Sequence, residues 1–388
     1  MIRTPNIPRT IYNEEHKLFF KSVEDFAAKE ITPYNEQWEK DSMVSRESWL
    51  KLGEAGFLCM QVEEQYGGMG IKDFRYNAIF TEVLALTGCA GPAVGYPLHS
   101  DIVSPYIEHY GSHETKMKYL PKMVSGEYIA AIAMTEPGAG SDLQGMRTTA
   151  VDKGDHYLVN GSKTFITNGY LCDIAVVAVK TDPTLGAKGI SLLVMEANTP
   201  GFSKGKPFHK AGLHAQDTCE LFFDNVKVPK ENLLGSAGHG FAYLMTQLAQ
   251  ERLVVGLGAI AASEATFNIT VQYVNERHAF GKPVADFQNT KYKIAELATE
   301  IEMGRVFADR CVELHDQKQL DGATASMAKY SLTELQCKVA DVCVQLHGGY
   351  GYIWEYQVAR AWADARVQRI YAGTNEIMKE LISRKYLK

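Results

Sequence analysis

Between Asn13 and Ile31 the apolar residues Leu18, Phe19, Val23, Phe26, Ala27 and Ile31 return at helical spacing, which predicts a helix with one buried face. The N-terminal third continues in this manner, punctuated by YGGMG at 66–70 and by a turn around Gly88–Pro92. Near residue 130 the period shortens. HYLVNGSKTFITNG, DIAVVAVKT, GISLLVMEA and CELFFDNVKVP are short β-rich runs separated by Gly, Pro, Asn and Asp, and they predict a compact β domain. After Gly235 long helical patterns return at roughly 239–276, 286–316 and 321–346, with a shorter one before 371; AFGKP and LHGGYG break them. The pattern contains no internal repeat. It predicts an α+β chain: an N-terminal helical domain over 1–130, a central β domain over 131–235 and a C-terminal helical bundle over 236–388. A doubly wound nicotinamide fold would alternate strands and helices throughout, and GAGSDL from Gly138 has Leu143 where that fingerprint needs its third glycine.

Composition narrows this picture only a little. A chain of 388 residues with 46% hydrophobic and 22% charged residues is long enough for two or three subdomains and a buried cofactor. Its net charge of −6 gives no electrostatic reason to expect nucleic acid. Seven cysteines without a CxxC pair argue against a disulfide framework or a structural zinc site and fit a reducing compartment. MIRTPNIPRTIYNEEHK places prolines and charges where a secretory signal needs an apolar core, so the cytoplasm is the expected location. The longest apolar run, LVVGLGAIAA at 253–262, is too short to span a membrane and reads as a buried helix segment.

The chemistry begins in AMTEPGAGSD at 133–142, which joins the helical third to the β domain. A turn this rich in glycine exposes backbone N–H groups and the hydroxyls of Thr135 and Ser141; read alone, its spacing favours a connecting loop. Taken with FITNG at 165–169, RHAFGKPVADFQ at 277–288, QLHGGYGY at 345–352 and YAGTNEI at 371–377, it resembles the acyl-CoA dehydrogenase family in order and spacing. The resemblance runs from YGGMG to the C-terminus. It implies FAD between the β domain and the C-terminal bundle, with Met134, Thr135, Gly140 and Ser141 bordering the flavin. Phe165, Ile166 and Thr167 would lie along it, Thr167 at its N5 edge, and Ser141 would also touch substrate. Phe165 departs from the family's common tryptophan and so keeps an aromatic cover without the N–H. Arg277, Phe280 and Gln288 match positions that hold the pyrophosphate and adenosine half, often contributed in the family by a neighbouring subunit; Gln345, Gly348 and Gly349 match the glycine turn beside it. An arginine fork suits phosphate oxygens, although a lone Arg277 would also pass for a solvated helix-end charge. Thr374, Asn375 and Glu376 are implied near the cofactor, and Arg252 near acyl-CoA.

The reaction implied by the resemblance removes an α-proton from an acyl thioester, which requires a base. Many members carry it as Glu in Tyr-Glu-Gly-Thr, and here Ala372 stands at that place. Either the protein is inactive or another carboxylate enters the pocket. Glu251 in AQERLVVG matches the helix position that supplies the base in the long-chain and isovaleryl-type branches, directly before an arginine. ARAWADARVQRIYAGTNEIMKELI, 359–382, resembles the long-chain branch in its small residue at 372. The plain alternative for Glu251 is a helix-surface ion pair. If it is the base, burial against flavin and an acyl chain raises its proton affinity toward neutrality. Ala372 keeps its backbone N–H, the group that holds the thioester carbonyl in the family.

The resemblance therefore implies an FAD-dependent acyl-CoA dehydrogenase for long or branched chains. Its electrons would pass to an electron-transfer flavoprotein, and the protein would be a homo-oligomer, a tetramer built as a dimer of dimers. Two readings compete: a flavin oxidase or monooxygenase on the same scaffold, and a non-catalytic acyl-CoA-binding member suggested by Ala372.

Overall fold

The computed structural model describes residues 6–387; the first residues of the N-terminal stretch discussed above lie outside them. Seven helices come first: α1 (Glu14–Glu30), α2 (Asn35–Asp41), α3 (Arg46–Glu54), α4 (Arg75–Leu86), α5 (Ala90–Pro97), α6 (Ser104–Tyr110) and α7 (His113–Val124). The periodic segment from Asn13 is α1, capped by Asn13, whose side chain accepts from the His16 N–H. The turn expected at Gly88–Pro92 is shorter than the sequence suggests. Gly88 turns with φ +74°, but α5 already begins at Ala90, because a proline in a first helical turn removes no bonded N–H. Between α5 and α6 the helix widens into a π-helical turn, Leu98–Val103.

The β domain is a seven-stranded mixed sheet of β1 (Ala130–Ala133), β2 (Thr149–Asp152), β3 (His156–Ile166), β4 (Ile174–Lys180), β5 (Ile190–Glu196), β6 (Phe202–Lys204) and β7 (Cys219–Pro229). β4 is its centre, parallel to β1 and antiparallel to β5. Every residue of β4 is buried, which explains why its sequence is continuously apolar up to Lys180. Ile174, Val176 and Ala178 face the helical core containing Tyr106 and Tyr119, while Ala175, Val177 and Val179 face Val159, Leu221 and Val226. β1, β2 and β6 are too short to announce themselves by alternation.

The C-terminal part holds α8 (Gly240–Glu276), a small hairpin of β8 (His278–Ala279) and β9 (Lys282–Pro283), then α9 (Gln288–Asp316), α10 (Gly322–His347), α11 (Gln357–Ala365) and α12 (Asn375–Ser383). The apolar run 253–262 is the middle of α8. That helix is long and apolar enough to cross a membrane by length and composition, yet two-thirds of its most apolar window is buried within the protein. Gly256 lets α10 come close: a Cβ there would lie 3.2 Å from Leu332 Cδ1 and 3.5 Å from the Ala328 backbone. This approach sets one face of α10 against Arg252.

Candidate active site

Glu251 is 4% exposed and accepts a 2.6 Å hydrogen bond on Oε1 from the Tyr106 hydroxyl, itself fully buried on α6. Burial pushes the carboxyl up to about 7; the Tyr106 bond and the Arg252 charge pull the other way and are the smaller effects. Arg252 does not close on Glu251 as a hydrogen-bonded pair. Its Nη1 donates to Ser326 Oγ on α10 at 3.2 Å, and its Nε is buried without a partner among the described residues. The helix-surface alternative for Glu251 is thereby excluded: the side chain is inside the protein.

α10 carries the link to Ala372. Lys329, fully buried, donates to the Gly373 carbonyl at 2.8 Å and to Asn375 Oδ1 at 2.9 Å. Burial, followed by the charge of Arg252, pulls this ammonium down to about 8. The loop it grips is strained, with Ala372 at φ +52° and Gly373 at φ +89°. Among the described residues no protein acceptor takes the Ala372 N–H. The helix α12, absent from the sequence reading, starts immediately afterwards: Thr374 caps it through Ile377 N, and the Asn375 amide also meets Thr333 and Glu334. Thr374 and Asn375 therefore anchor this loop, and Glu376 lies exposed in the first turn of α12.

The residues expected around the flavin form two groups. In the first, Met134, Thr135, Gly140 and Ser141 edge the 133–142 loop, the last two exposed. Lys163 holds this loop from β3, donating to the Met134 carbonyl at 2.9 Å and to Glu136 Oε1 at 2.8 Å; Glu136 in turn accepts from the Arg147 and Thr148 N–H groups. Beside it the β3–β7 register shifts between Lys163 and Ile166, and Phe165 takes φ +58°. The bulge turns Phe165 outward, 67% exposed, while Ile166 stays buried and Thr167 half-buried.

In the second group Arg277, Gln345, Gly348 and Gly349 line one cleft of about 450 Å³ together with Tyr273 and Tyr350. No carboxylate among the described residues pairs with Arg277, whose guanidinium lies 5.7 Å from the Tyr350 ring centroid. A Cβ on Gly348 or Gly349 would meet nothing within 4 Å, so the backbone there is open to a close ligand. Phe280 sits on the β8–β9 hairpin with φ +51° and 96% exposure, and Gln288, exposed, donates to Tyr292. An unpaired guanidinium beside open glycines suits a pyrophosphate, and an outturned aromatic at a bulge suits a flat ring; the donor set fits FAD.

Three residues with left-handed backbone, Phe165, Phe280 and Ala372, coincide with positions selected from the sequence motifs. Family models for the acyl-CoA dehydrogenase N-terminal, middle and C-terminal domains match residues 13–127, 131–226 and 238–387.

The chain belongs to the acyl-CoA dehydrogenase family.

It is 52% identical over 378 residues to the mitochondrial long-chain specific acyl-CoA dehydrogenase of Rattus norvegicus, covering 97% of this chain and 87% of that one. The crystal structure of acyl-CoA dehydrogenase from Geobacillus kaustophilus superposes with a TM-score of 0.96 at 51% identity, covering 98% and 100% of the two chains. A solved structure of the electron transferring flavoprotein of Acidaminococcus fermentans matches at TM-score 0.92 and 35% identity, over 97% and 99%. The family is FAD-dependent.

Motif reading missed Tyr106, Lys163 and Lys329. Lys329 left a trace, being a lysine among Ala325, Ala328 and Leu332 on the buried face of its helix. Tyr106 left none, because a tyrosine in an apolar helix reads as core.

Proposed function

We propose that this acyl-CoA dehydrogenase acts on saturated long-chain acyl-CoA thioesters, with Glu251 as the base that takes the α-proton and the Ala372 N–H as a donor to the thioester carbonyl. The observation that carries the reading is the Glu251 carboxylate, buried on α8 with one bound oxygen, next to an Arg252 that donates to α10, the helix that grips the loop of Ala372. The 133–142 loop and Phe165 would border FAD, which when bound would supply the acceptor for the β-hydrogen. The chain's own work is to hold and move one proton. A carboxyl near 7 is about half ionised at neutral pH and strong enough to accept the proton of an activated α-carbon. An N–H without a competing acceptor stabilises negative charge developing on the carbonyl oxygen. Arg252 and Lys329 add positive charge on the same side.

The long-chain assignment rests on the similarity to the rat enzyme and on the small residue at 372. The electron acceptor in this reading is an electron-transfer flavoprotein, an inference supported by the Acidaminococcus match. The exposed Phe280, together with Tyr352 at 86% exposure, favours a homo-oligomer in which a second copy covers them, a tetramer in this reading. Seven unpaired cysteines favour a reducing compartment, and the reading places the enzyme in the cytoplasm.

Anaerobic mixing of the FAD-loaded protein with butyryl-, octanoyl-, isovaleryl- and palmitoyl-CoA tests this. Palmitoyl-CoA should bleach the flavin fastest, with slow return of colour in air. Preference for butyryl-CoA would remove the long-chain assignment, rapid reoxidation would favour an oxidase, and no bleaching with any substrate would remove the dehydrogenation itself.

A further inference from the structure

The helix that carries Tyr106 is built around a proline. Pro105 has no N–H to give the carbonyl four residues earlier, that of Asp101 at the π-helical turn. Gln250 Nε2 donates to that carbonyl at 2.6 Å, and Gln250 Oε1 is itself held by His315 at 3.0 Å. Neighbouring residues thus make two contacts between the same helices: Gln250 with the Asp101 carbonyl, and Glu251 with Tyr106. The phenol ring is packed among Tyr119, Met123, Ile174 and Leu244 with no exposure, so its hydroxyl has a fixed position. It is the only donor to the Glu251 carboxylate among the described residues, and it binds one oxygen, Oε1.

We propose that Tyr106 is a positioning residue for the base: its hydroxyl fixes Glu251 Oε1 and leaves Oε2 free to take the substrate proton. This rests on Glu251 being the base. A neutral donor strengthens the ionised carboxylate against the burial that opposes it, so Tyr106 sets both the direction of the base and the pH at which it is ready. The charged and titratable groups around it are few. Arg252 acts from the same helix, Lys329 from α10 through Arg252, and Tyr110 from α6 through Tyr106; Asp101 is turned to Asn77, which donates to it at 2.6 Å.

The test compares Tyr106→Phe with Tyr110→Phe, whose ring stacks on Tyr243 at 4.0 Å and makes no contact with Glu251. Two quantities are followed in the holoenzyme: the pH dependence of flavin reduction by palmitoyl-CoA, and the infrared band of the protonated carboxyl, assigned by its disappearance in Glu251→Gln. In Tyr106→Phe the acidic limb should move up by about one pH unit, giving roughly tenfold slower reduction at pH 6, with recovery at pH 9 and little change in KM. The infrared band should persist to correspondingly higher pH without substrate. Tyr110→Phe should match the parent in both. A uniform rate loss in Tyr106→Phe with an unmoved limb and an unmoved band would overturn the proposal, because packing alone would then explain it. If Glu251→Gln still reduces its flavin, the reading beneath the proposal fails. If Glu251→Gln is inactive while Tyr106→Phe titrates like the parent, only the Tyr106 assignment fails.

Discussion

Two glutamates lie thirteen residues apart on the same face-buried helix, Glu251 and Glu264, and their surroundings differ in kind. Glu264 meets the Arg305 guanidinium with both oxygens, at 2.7 and 2.8 Å, and Arg305 Nη1 donates to Glu82, 2.7 Å away. Arg9 completes the cluster by reaching Glu82 and Asp309. Three carboxylates there share two arginines, each bonded to at least one of them, and the cluster ties α4, α8, α9 and the N-terminal segment together. Glu251 has one neutral donor, and the arginine beside it leaves its Nε unpaired. Burial raises the proton affinity of both Glu264 and Glu251, but only Glu251 keeps an oxygen to offer, and burial without full pairing is costly to a fold and useful to a reaction. The comparison teaches that buried charge on this helix serves structure where it is saturated and chemistry where it is not.

The sharpest break in that comparison is Glu251→Gln. It should lower the rate of flavin reduction by roughly a thousandfold or more while the protein folds and keeps FAD, read by stopped-flow absorbance. Arg305→Met should do the reverse. It leaves Glu82 and Glu264 without their shared cation and should cost about 3–5 kcal/mol in urea unfolding, with the rate per folded molecule near the parent's. Lys329→Met removes the grip on the Gly373 carbonyl and should slow reduction by roughly 10- to 100-fold with a smaller change in KM. The same variant should also weaken the downshift of the bound thioester carbonyl stretch.

The smallest effect is on stability against pH. The folded carboxyl of Glu251 sits at about 7, above its ordinary 4.5, so the native state holds this proton more tightly than the unfolded chain. Its contribution is therefore fully present below about 4.5 and is lost as pH rises to about 7. Glu251→Gln should be free of that loss. Its melting temperature should gain on the parent's between pH 5 and 8 by the equivalent of about 1–3 kcal/mol, and the gap should then stay level.

The long elements of this fold were legible because periodicity is a local property: α1, α8, α9, α10 and the strands β3, β4, β5 and β7 fall where their patterns place them. Short ones were not. β1 and β2 have four residues each, and α12 follows the AGT break so closely that its capping threonine reads as loop. At the site, Glu251 and the cofactor motifs were visible only through family resemblance, since a glutamate before an arginine on a helix has no chemistry of its own in one dimension. The partners were invisible for a physical reason. Tyr106 stands 145 residues from Glu251 and Glu82 stands 223 from Arg305, and nothing local encodes such a pairing. The strain at Ala372 belongs to the same class, because alanine seldom adopts a left-handed backbone and only the grip of Lys329 and the turn at Gly373 reveal it.

The central claim is that proton acceptance and carbonyl binding are divided between Glu251 on α8 and the Ala372 loop. Single-turnover flavin reduction in Glu251→Ala and in Glu251→Ala combined with Ala372→Glu tests it most directly. Ala372 already has the left-handed backbone that a glutamate would have to adopt, so the added side chain brings little new backbone strain, though its bulk must be repacked. The account predicts that the single variant loses roughly a thousandfold or more and that the double variant recovers part of it. A single variant that reduces its flavin at the parent rate, or a double variant as inactive as the single, would contradict it.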